Sequence, residues 1–186
     1  VVASDLGFAV GPRINAAGRL DDMSIGIECL LSEDMAAARS QASRLHQLNM
    51  DRRIIEQDMQ SEALQLLAKL SLGEDAELPV AMTLYQRGWH QGVIGILASR
   101  IKDRLHRPTI AFADGDEGQI KGSARSIPGI HIRDILDAVA VRQPGLISKF
   151  GGHAMAAGLS LARADYEAFS QAFVEEVTRH ADDVEL

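Results

Sequence analysis

The stretch GGHAMAAG, residues 151–158, places three glycines around one histidine. Consecutive glycines let backbone N–H groups converge on a ligand, and at the start of a helical turn they form a cradle for an anion. Gly151 and Gly152 would supply those N–H groups, and His153 would add a side-chain donor. The alternative is a tight turn with a buried, hydrogen-bonded histidine, which spacing alone favours because glycine pairs are common in turns.

A second glycine-rich stretch, GWHQGVIG at residues 88–95, precedes an apolar helical pattern. His90 and Gln91 stand just before that helix, where their side chains would meet a phosphate bound at its N-terminus. A capping histidine is an equally good interpretation of His90. Trp89 is either a stacking platform for a base or an aromatic side chain of the core.

The stretch KGSARS, residues 121–126, alternates in the manner of a strand. Lys121, Ser123 and Arg125 would therefore share one face. An ammonium, a hydroxyl and a guanidinium on one face suit a phosphate monoester, because arginine offers a two-pronged donor to its oxygens. A solvated face of an edge strand is the commoner source of such a pattern.

The polar stretch GPRINAAGRLDD, residues 11–22, brings Arg13, Asn15 and Arg19 close together in the sequence. These side chains would reach a shared anion site. The alternative is a surface loop whose arginines pair with the two aspartates at its end. No HxH, HExxH or CxxC spacing occurs, and no metal site is predicted.

The composition is that of an ordinary globular protein, with 46% hydrophobic residues in a chain of 186. Such a length suits one large domain or two small ones. The single cysteine, Cys29, forms no disulfide within the chain and fits a buried position in a reducing cytoplasm. No apolar run is long enough to span a membrane, and the N-terminus lacks both a signal-peptide pattern and an initiator Met. We therefore expect a cytoplasmic fragment of a longer chain.

The net charge of −7 argues against a general nucleic-acid-binding surface. The charge is nevertheless uneven. Residues 85–153 hold ten Lys and Arg against six Asp and Glu, whereas the remainder holds nine against twenty. The positive segment ends inside the glycine-rich stretch GGHAMAAG.

Hydrophobic periodicity predicts the elements that must position these side chains. Residues 1–23 are predicted to be extended or loop-like, because glycines and a proline interrupt them. Three helices should follow, capped by Ser24, Ser32 and Asn49, the last ending at Gly73 before a linker at 73–79. Beyond the linker, strands alternate with helices, which predicts an α/β domain. The strands are expected at 80–85, 109–113, 119–126 (with a bulge at Gly122) and 156–161, and the helices at 92–106, from Ile132 to Val139 and from Tyr166 to Val177.

The chain closely resembles the DHH phosphoesterase family, in particular its bacterial single-strand-specific 5′→3′ DNA exonucleases. The resemblance is carried by four stretches in this order: GPRINAAGRLDD, WHQGVIGILASRI, KGSARS and KFGGHAMAAGLSL. The resemblance covers essentially the whole chain. It implies a remnant of the catalytic domain (1–48), a connecting helix (49–72) and a DHH-associated substrate-binding domain with a mixed sheet (73–186).

Members of that family hold two Mn²⁺ or Mg²⁺ ions on aspartates and a DHH triplet of an N-terminal domain, and no DHH triplet occurs here. The resemblance therefore implies that this chain alone binds no metal and is inactive, and that it supplies one wall of a cleft for two-metal hydrolysis. Ser123 and Arg125 would hold the 5′-terminal phosphate, while His90 and His153 would contact phosphates near the scissile bond. The other substrate-binding residues it implies are Arg13, Asn15, Arg19, Gln91, Gly151 and Gly152, with Trp89 for base stacking.

The partner implied is single-stranded DNA with a 5′-phosphate, and no membrane. The longer parent is expected to act with a helicase and a single-strand-binding protein in DNA repair and recombination, and the fragment is expected to be a monomer. Three alternatives remain. They are a small-substrate DHH phosphoesterase acting on oligoribonucleotides or a nucleoside bisphosphate, a non-catalytic nucleic-acid-binding module, and an α/β domain with no ligand.

Overall fold

The computed structural model describes residues 1–70 and 79–181. The chain divides into two compact units, Val1–Asp58 and Met59–Leu186, and the division falls inside its longest helix. The predicted α/β class, with a helical segment first and a mixed sheet after it, is confirmed. The N-terminal helices are a π-helix at Asp5–Val10, α1 at Gly11–Leu20, α2 at Ser24–Leu31 and α3 at Met35–Leu70.

The expectation of an extended or loop-like segment at residues 1–23 is wrong, because most of that segment is helical. Pro12 lies in the first turn of α1, where its fixed φ suits a helix and its missing N–H is not needed. Gly18 sits where the chain packs closely, since an added Cβ would lie 2.7 Å from the Cε of Met23. Both residues therefore fit a helix that their types alone argue against.

The predicted break at Asn49 is also wrong, because α3 runs unbroken for 36 residues. No glycine or proline occurs between residues 35 and 70, so nothing in the backbone interrupts the helix. Asn49 is buried, and its side-chain oxygen accepts a hydrogen bond from Arg52 at 3.4 Å. The cap at the start of α3 is Asp34 and not Ser32, since the Asp34 carboxylate accepts the Ala36 N–H at 2.9 Å. The predicted stop at Gly73 and all of the linker except Pro79 lie outside the described residues.

The second unit is built on a five-stranded sheet with the strand order β1-β2-β3-β5-β4. The first two strands are parallel and all other neighbours are antiparallel, which makes the sheet mixed. The elements are β1 at Met82–Tyr85, α4 at Ile94–Leu105, β2 at Thr109–Asp114, β3 at Gln119–Arg125, α5 at Ile132–Arg142, β4 at Lys149–His153, β5 at Ala156–Ala162, a 3₁₀ turn at Arg163–Asp165 and α6 at Tyr166–His180.

The two faces of the sheet are covered unequally. One face carries the core, where α5 and α6 pack and where Phe112, Phe169 and Phe173 form a chain of ring contacts. On the other face α4 packs against β2 and β3. On that second face Lys149, Gly151 and Gly158 remain exposed. Half of this face is therefore open to a ligand.

The stretch GGHAMAAG forms a β-hairpin, so the expected helical turn is wrong. Its first three residues end β4, Ala154 and Met155 make the turn, and β5 follows. Gly152 has φ of +155°, and an added Cβ would clash with the Ala156 carbonyl and lie 2.5 Å from the Cα of Ala157. The hairpin thus requires glycine at 152, because a larger residue would be forced into the neighbouring strand.

The predicted bulge at Gly122 is wrong as well, because β3 pairs without interruption with both neighbours. Gly122 faces the core, and an added Cβ would lie 2.5 Å from the Phe112 ring and 2.7 Å from a methyl of Leu159. The aromatic ring fills the volume that a side chain would occupy.

Among the described residues, no helix is both long and apolar enough to cross a membrane.

Gly122→Ala is expected to destabilise the protein by about 1–3 kcal/mol, because the added methyl overpacks the site against Phe112. Gly158→Ala is the matched control on the neighbouring strand, where an added Cβ meets nothing nearer than the Gly122 carbonyl at 3.9 Å. Urea unfolding of both variants measures the difference. Equal stability of the two variants would contradict this packing.

Candidate phosphate-binding face

Three strands present a grid of small and polar residues on the open face of the sheet. Along β3, Lys121, Ser123 and Arg125 point to this face and alternate with buried residues, as predicted. The pairing register continues each of them across β5 into β4. The three rows are Arg125–Ala156–His153, Ser123–Gly158–Gly151 and Lys121–Ser160–Lys149.

The guanidinium of the first row, from Arg125, contacts the hydroxyl of the second row, from Ser123. Arg125 donates from one guanidinium nitrogen to the Ser123 hydroxyl at 3.0 Å and to the Ala124 carbonyl at 2.7 Å. Both side chains are half-buried beneath the first turn of α4, because an added Cβ on Gly95 would lie 2.8 Å from Arg125 and 3.0 Å from Ser123. Glycine at 95 therefore makes room for the pair next to a helix N-terminus, where the helix dipole attracts anions.

His153 ends β4 in the same row as Arg125 and is exposed. Its Nδ1 accepts a hydrogen bond from the Met155 N–H at 3.3 Å across the hairpin turn. A neutral imidazole that accepts at Nδ1 carries its proton on Nε2, so His153 offers an outward donor to an anion. Gly151 is exposed too, and a Cβ there would meet nothing within 4 Å.

His90 precedes α4 and repeats this arrangement, because its Nδ1 accepts the Gly92 N–H at 3.0 Å and Nε2 carries the donor. Gln91 is used differently. Its side-chain amide donates to the Asp114 carbonyl at 2.6 Å, which fastens the loop before α4 to the end of β2. The structure thus gives Gln91 a positioning contact, and gives His90, as a neutral ring, a donor at Nε2.

Asp114 anchors the same loop through its carboxylate. The carboxylate accepts the Tyr85 hydroxyl at 2.8 Å and the Gly88 N–H at 3.4 Å. The Tyr85 hydrogen bond holds the pKa of Asp114 below its ordinary value, helped by the Gly88 N–H and by the charges of Arg163 and Arg87. Burial, and then the neighbouring carboxylate, raise the pKa of Tyr85.

Trp89 is a core residue, so the structure contradicts its expected role in base stacking. It is 5% exposed, and its indole N–H donates to the Glu62 carboxylate at 2.7 Å. A buried ring has no face on which a base could stack.

Arg13, Asn15 and Arg19 belong to the N-terminal unit, on α1. Arg13 and Arg19 are six residues apart, which places them on different sides of a helix and not together as expected. Arg13 donates to His46 Nδ1 at 3.2 Å and to the Ala9 carbonyl. Asn15 and Arg19 are exposed. Helix geometry thus separates side chains that a loop would have let converge.

Within residues 1–70 and 79–181, no three His, Cys, Asp or Glu side chains lie close enough together to hold a metal ion. Asp114 and Asp116 are two residues apart, but Asp114 is tied to Tyr85, and Asp116 lies 3.9 Å from the Lys121 ammonium. The donors of this described part therefore do not fit a two-metal centre.

Sequence reasoning missed Lys149 and Ser160. Both residues lie inside the stretch KFGGHAMAAGLSL, but neither was given a role, and β4 was not predicted as a strand, so nothing aligned Lys149 with β3. The signal that could have found them is the alternation of KFGGH against AAGLSL, which becomes informative once the two are paired as a hairpin.

The second unit thus combines a mixed sheet that has one open, glycine-floored face with a helix N-terminus beside that face. Residues 78–179 match the DHHA1 domain family, and the chain belongs to that family.

Similarity extends over the whole chain to larger proteins. The chain is 55% identical over all of its 186 residues to the single-stranded-DNA-specific exonuclease RecJ of Dickeya dadantii, of which it covers 32%. RecJ of Thermus thermophilus in complex with Mg²⁺ matches 95% of this chain with a TM-score of 0.81 and 31% identity, over 26% of that chain. The same protein in complex with Mn²⁺ matches with a TM-score of 0.79, again at 31% identity and over 95% of this chain and 25% of that one. The chain spans about a third of the length of the curated relative.

Tyr85→Phe is expected to raise the pKa of Asp114 toward its ordinary value of 3.8, because the largest cause of the lowering is removed. Since the folded-state pKa lies below that of the unfolded chain, ionised Asp114 stabilises the fold above the unfolded pKa, and this contribution is lost as pH falls through the folded pKa. A ¹³C NMR titration of the aspartate side chains measures the change.

Tyr166→Phe is the control, because its hydroxyl donates to Thr83 at 3.4 Å and not to Asp114. An Asp114 pKa that stays low in Tyr85→Phe, or that rises equally in both variants, would be inconsistent with this anchor.

Proposed function

We propose that this chain is part of a RecJ-like single-stranded-DNA-specific 5′→3′ exonuclease and forms the phosphate-binding wall of its active-site cleft. The observation that carries the proposal is the contact of Ser123 with Arg125 beneath Gly95, in a sheet whose next strands bring His153 into line with Arg125. Identity of 55% to a RecJ over the full chain supports the same assignment.

In this proposal the 5′-terminal phosphate lies against Ser123 and Arg125. The guanidinium donates to two phosphate oxygens, and the serine hydroxyl and the N-terminal turn of α4 complete the anion site. The outward N–H groups of His153 and His90 donate to phosphates nearer the scissile bond. The polarity of the reaction follows, because a site that closes over a terminal phosphate accepts a chain end and not an internal linkage.

The metal-binding part of the reaction is assigned to the rest of a longer protein. Two of the similar RecJ structures contain Mg²⁺ or Mn²⁺, whereas the described donors of this chain do not fit such a centre. This chain binds and orients the strand. For the longer protein we retain the proposals of a cytoplasmic location, a role in DNA repair and recombination, and helicase and single-strand-binding-protein partners.

The first test compares a 3′-labelled oligothymidylate carrying a 5′-phosphate with one carrying a 5′-hydroxyl, by fluorescence anisotropy. The chain is expected to bind the phosphorylated strand more tightly, and Arg125→Ala is expected to remove at least about a tenfold preference, because charge-assisted hydrogen bonds are lost.

The matched control is Arg133→Ala, which removes the same charge from α5 on the opposite face, where Arg133 lies 3.8 Å from Asp134. Equal binding of both strands by the unaltered chain would instead favour a general nucleic-acid-binding module.

The second test concerns catalysis. The isolated chain is expected to release no nucleotides from 5′-phosphorylated single-stranded DNA in Mn²⁺ or Mg²⁺, because the described residues offer no metal-binding group. Nuclease activity that co-purifies with the chain through two columns and disappears with EDTA would show that the chain is catalytic on its own.

A further inference from the structure

A second cationic row crosses the open face beside the Arg125 site. Lys121, Ser160 and Lys149 are paired residues of β3, β5 and β4, so their side chains project from the same face. The two lysines are two strands apart, about 9–10 Å between Cα atoms. Lysine side chains are long enough to converge on one anion over the serine between them.

The floor beside this row is bare backbone. Gly158 and Gly151 pair directly, and a Cβ on Gly151 would meet nothing within 4 Å. Together with the Lys121 row they line a groove of about 390 Å³. A groove with two ammonium groups and no side chain in the middle admits the backbone of a ligand and not merely a small ion.

The charges of the row are available at the surface. Lys149 is exposed, and the Lys121 side chain is 48% exposed, with its ammonium 3.9 Å from the carboxylate of Asp116. The Asp116 side chain is 93% exposed, so this ion pair is solvated and easily exchanged for a stronger anion.

The Lys121 row lies four residues along β3 from the Arg125 row, with the Ser123 row between them. Along the strand, the Ser123 row lies about 6.8 Å from the Arg125 row, and the Lys121 row lies about 13.6 Å from it. One nucleotide backbone unit spans about one row spacing, so two such units extend from the Arg125 row to the Lys121 row, and the phosphate between them lies over the glycine row.

We propose that Lys121, Ser160 and Lys149 bind the phosphodiester of the second internucleotide linkage of a strand whose terminal phosphate lies at Arg125. The strand would run along β3 and β5 over Gly158 and Gly151. This inference rests on the proposed function, because it takes the Arg125 site as the position of the 5′-phosphate.

The test uses 3′-labelled, 5′-phosphorylated tetrathymidylate in three forms. One is unmodified, one has an uncharged methylphosphonate at the second linkage, and one has it at the third. Binding by the full chain is compared with the double variant Lys121→Gln/Lys149→Gln. Lys102→Gln serves as the control for loss of a lysine charge, because Lys102 lies on α4 and contacts Asp103 at 2.6 Å.

Neutralising the second linkage should weaken binding to the unaltered chain about fivefold and leave binding to the double variant nearly unchanged. Neutralising the third linkage should affect both proteins alike. The double variant should also show a log Kd against log salt slope smaller by about 0.7, the value for one phosphate of a single strand.

Each other outcome overturns the inference. If the second linkage matters equally to both proteins, the lysines do not bind it. If both linkages are coupled to the lysines, the effect is one of general charge. Binding that depends on the 5′-phosphate but shows no coupling would leave the proposed function standing, whereas failure to bind any of the strands would count against both.

Discussion

The antiparallel pairing of β3 with β5 is the constraint on which the rest of the second unit depends. Seven consecutive residue pairs fix this register, and Gly122 opposite Leu159 pins it, because the Phe112 ring occupies the space of the missing side chain. A slip of one residue would turn Lys121, Ser123 and Arg125 into the apolar core and expose Ile120 and Ala124. The packing that stabilises one face therefore also dictates the composition of the opposite face.

The open half of the sheet follows from the unequal helices. α5 and α6 cover the core face, whereas α4 covers the other face only over β2 and β3. A fourth helix over β4 and β5 would bury more apolar surface, but the residues there are lysine, glycine, histidine and serine, which offer none. Gly95 lets α4 approach Arg125 and Ser123 closely, and so the edge of the helix becomes one side of the candidate phosphate site.

Hydrophobic periodicity in the sequence was sufficient to predict those helices and strands whose apolar residues lie in the core. Ile132, Leu136 and Phe173 are all buried as their spacing predicted, and Lys121, Ser123 and Arg125 share a face. Glycine-rich segments could not be predicted in the same way, because glycine fits a turn, a helix or a strand, and tertiary packing decides among them. Gly18 lies in a helix, Gly122 in an unbroken strand and Gly151 in a hairpin.

The roles of Trp89 and of the histidines could not be predicted from the sequence either. A tryptophan beside a glycine is equally consistent with a stacking platform and with a core position, and only the contact with Glu62 distinguishes them. His131 accepts the Asp134 N–H at Nδ1, much as His90 and His153 accept theirs, although it caps α5 and lies outside the phosphate rows. A hydrogen bond accepted at Nδ1 therefore does not by itself indicate a binding role for a histidine. His153 differs from His131 because it shares a row of the sheet with Arg125.

The local charge explains how an acidic chain can present a phosphate site. Beyond about 8 Å at physiological salt, exposed charges are largely screened. The potential in the groove is therefore set mainly by the nearby charges of Lys121 with its partner Asp116, of Arg125 and of Lys149, and hardly by the net charge of −7. The excess of acidic residues outside 85–153 then acts in another way: it disfavours non-specific contact between a nucleic acid and the rest of the surface. A strand bound as proposed would be directed to this one face, where its phosphates would meet spaced cations, and the charge distribution that lowers general affinity for DNA would raise selectivity for the groove.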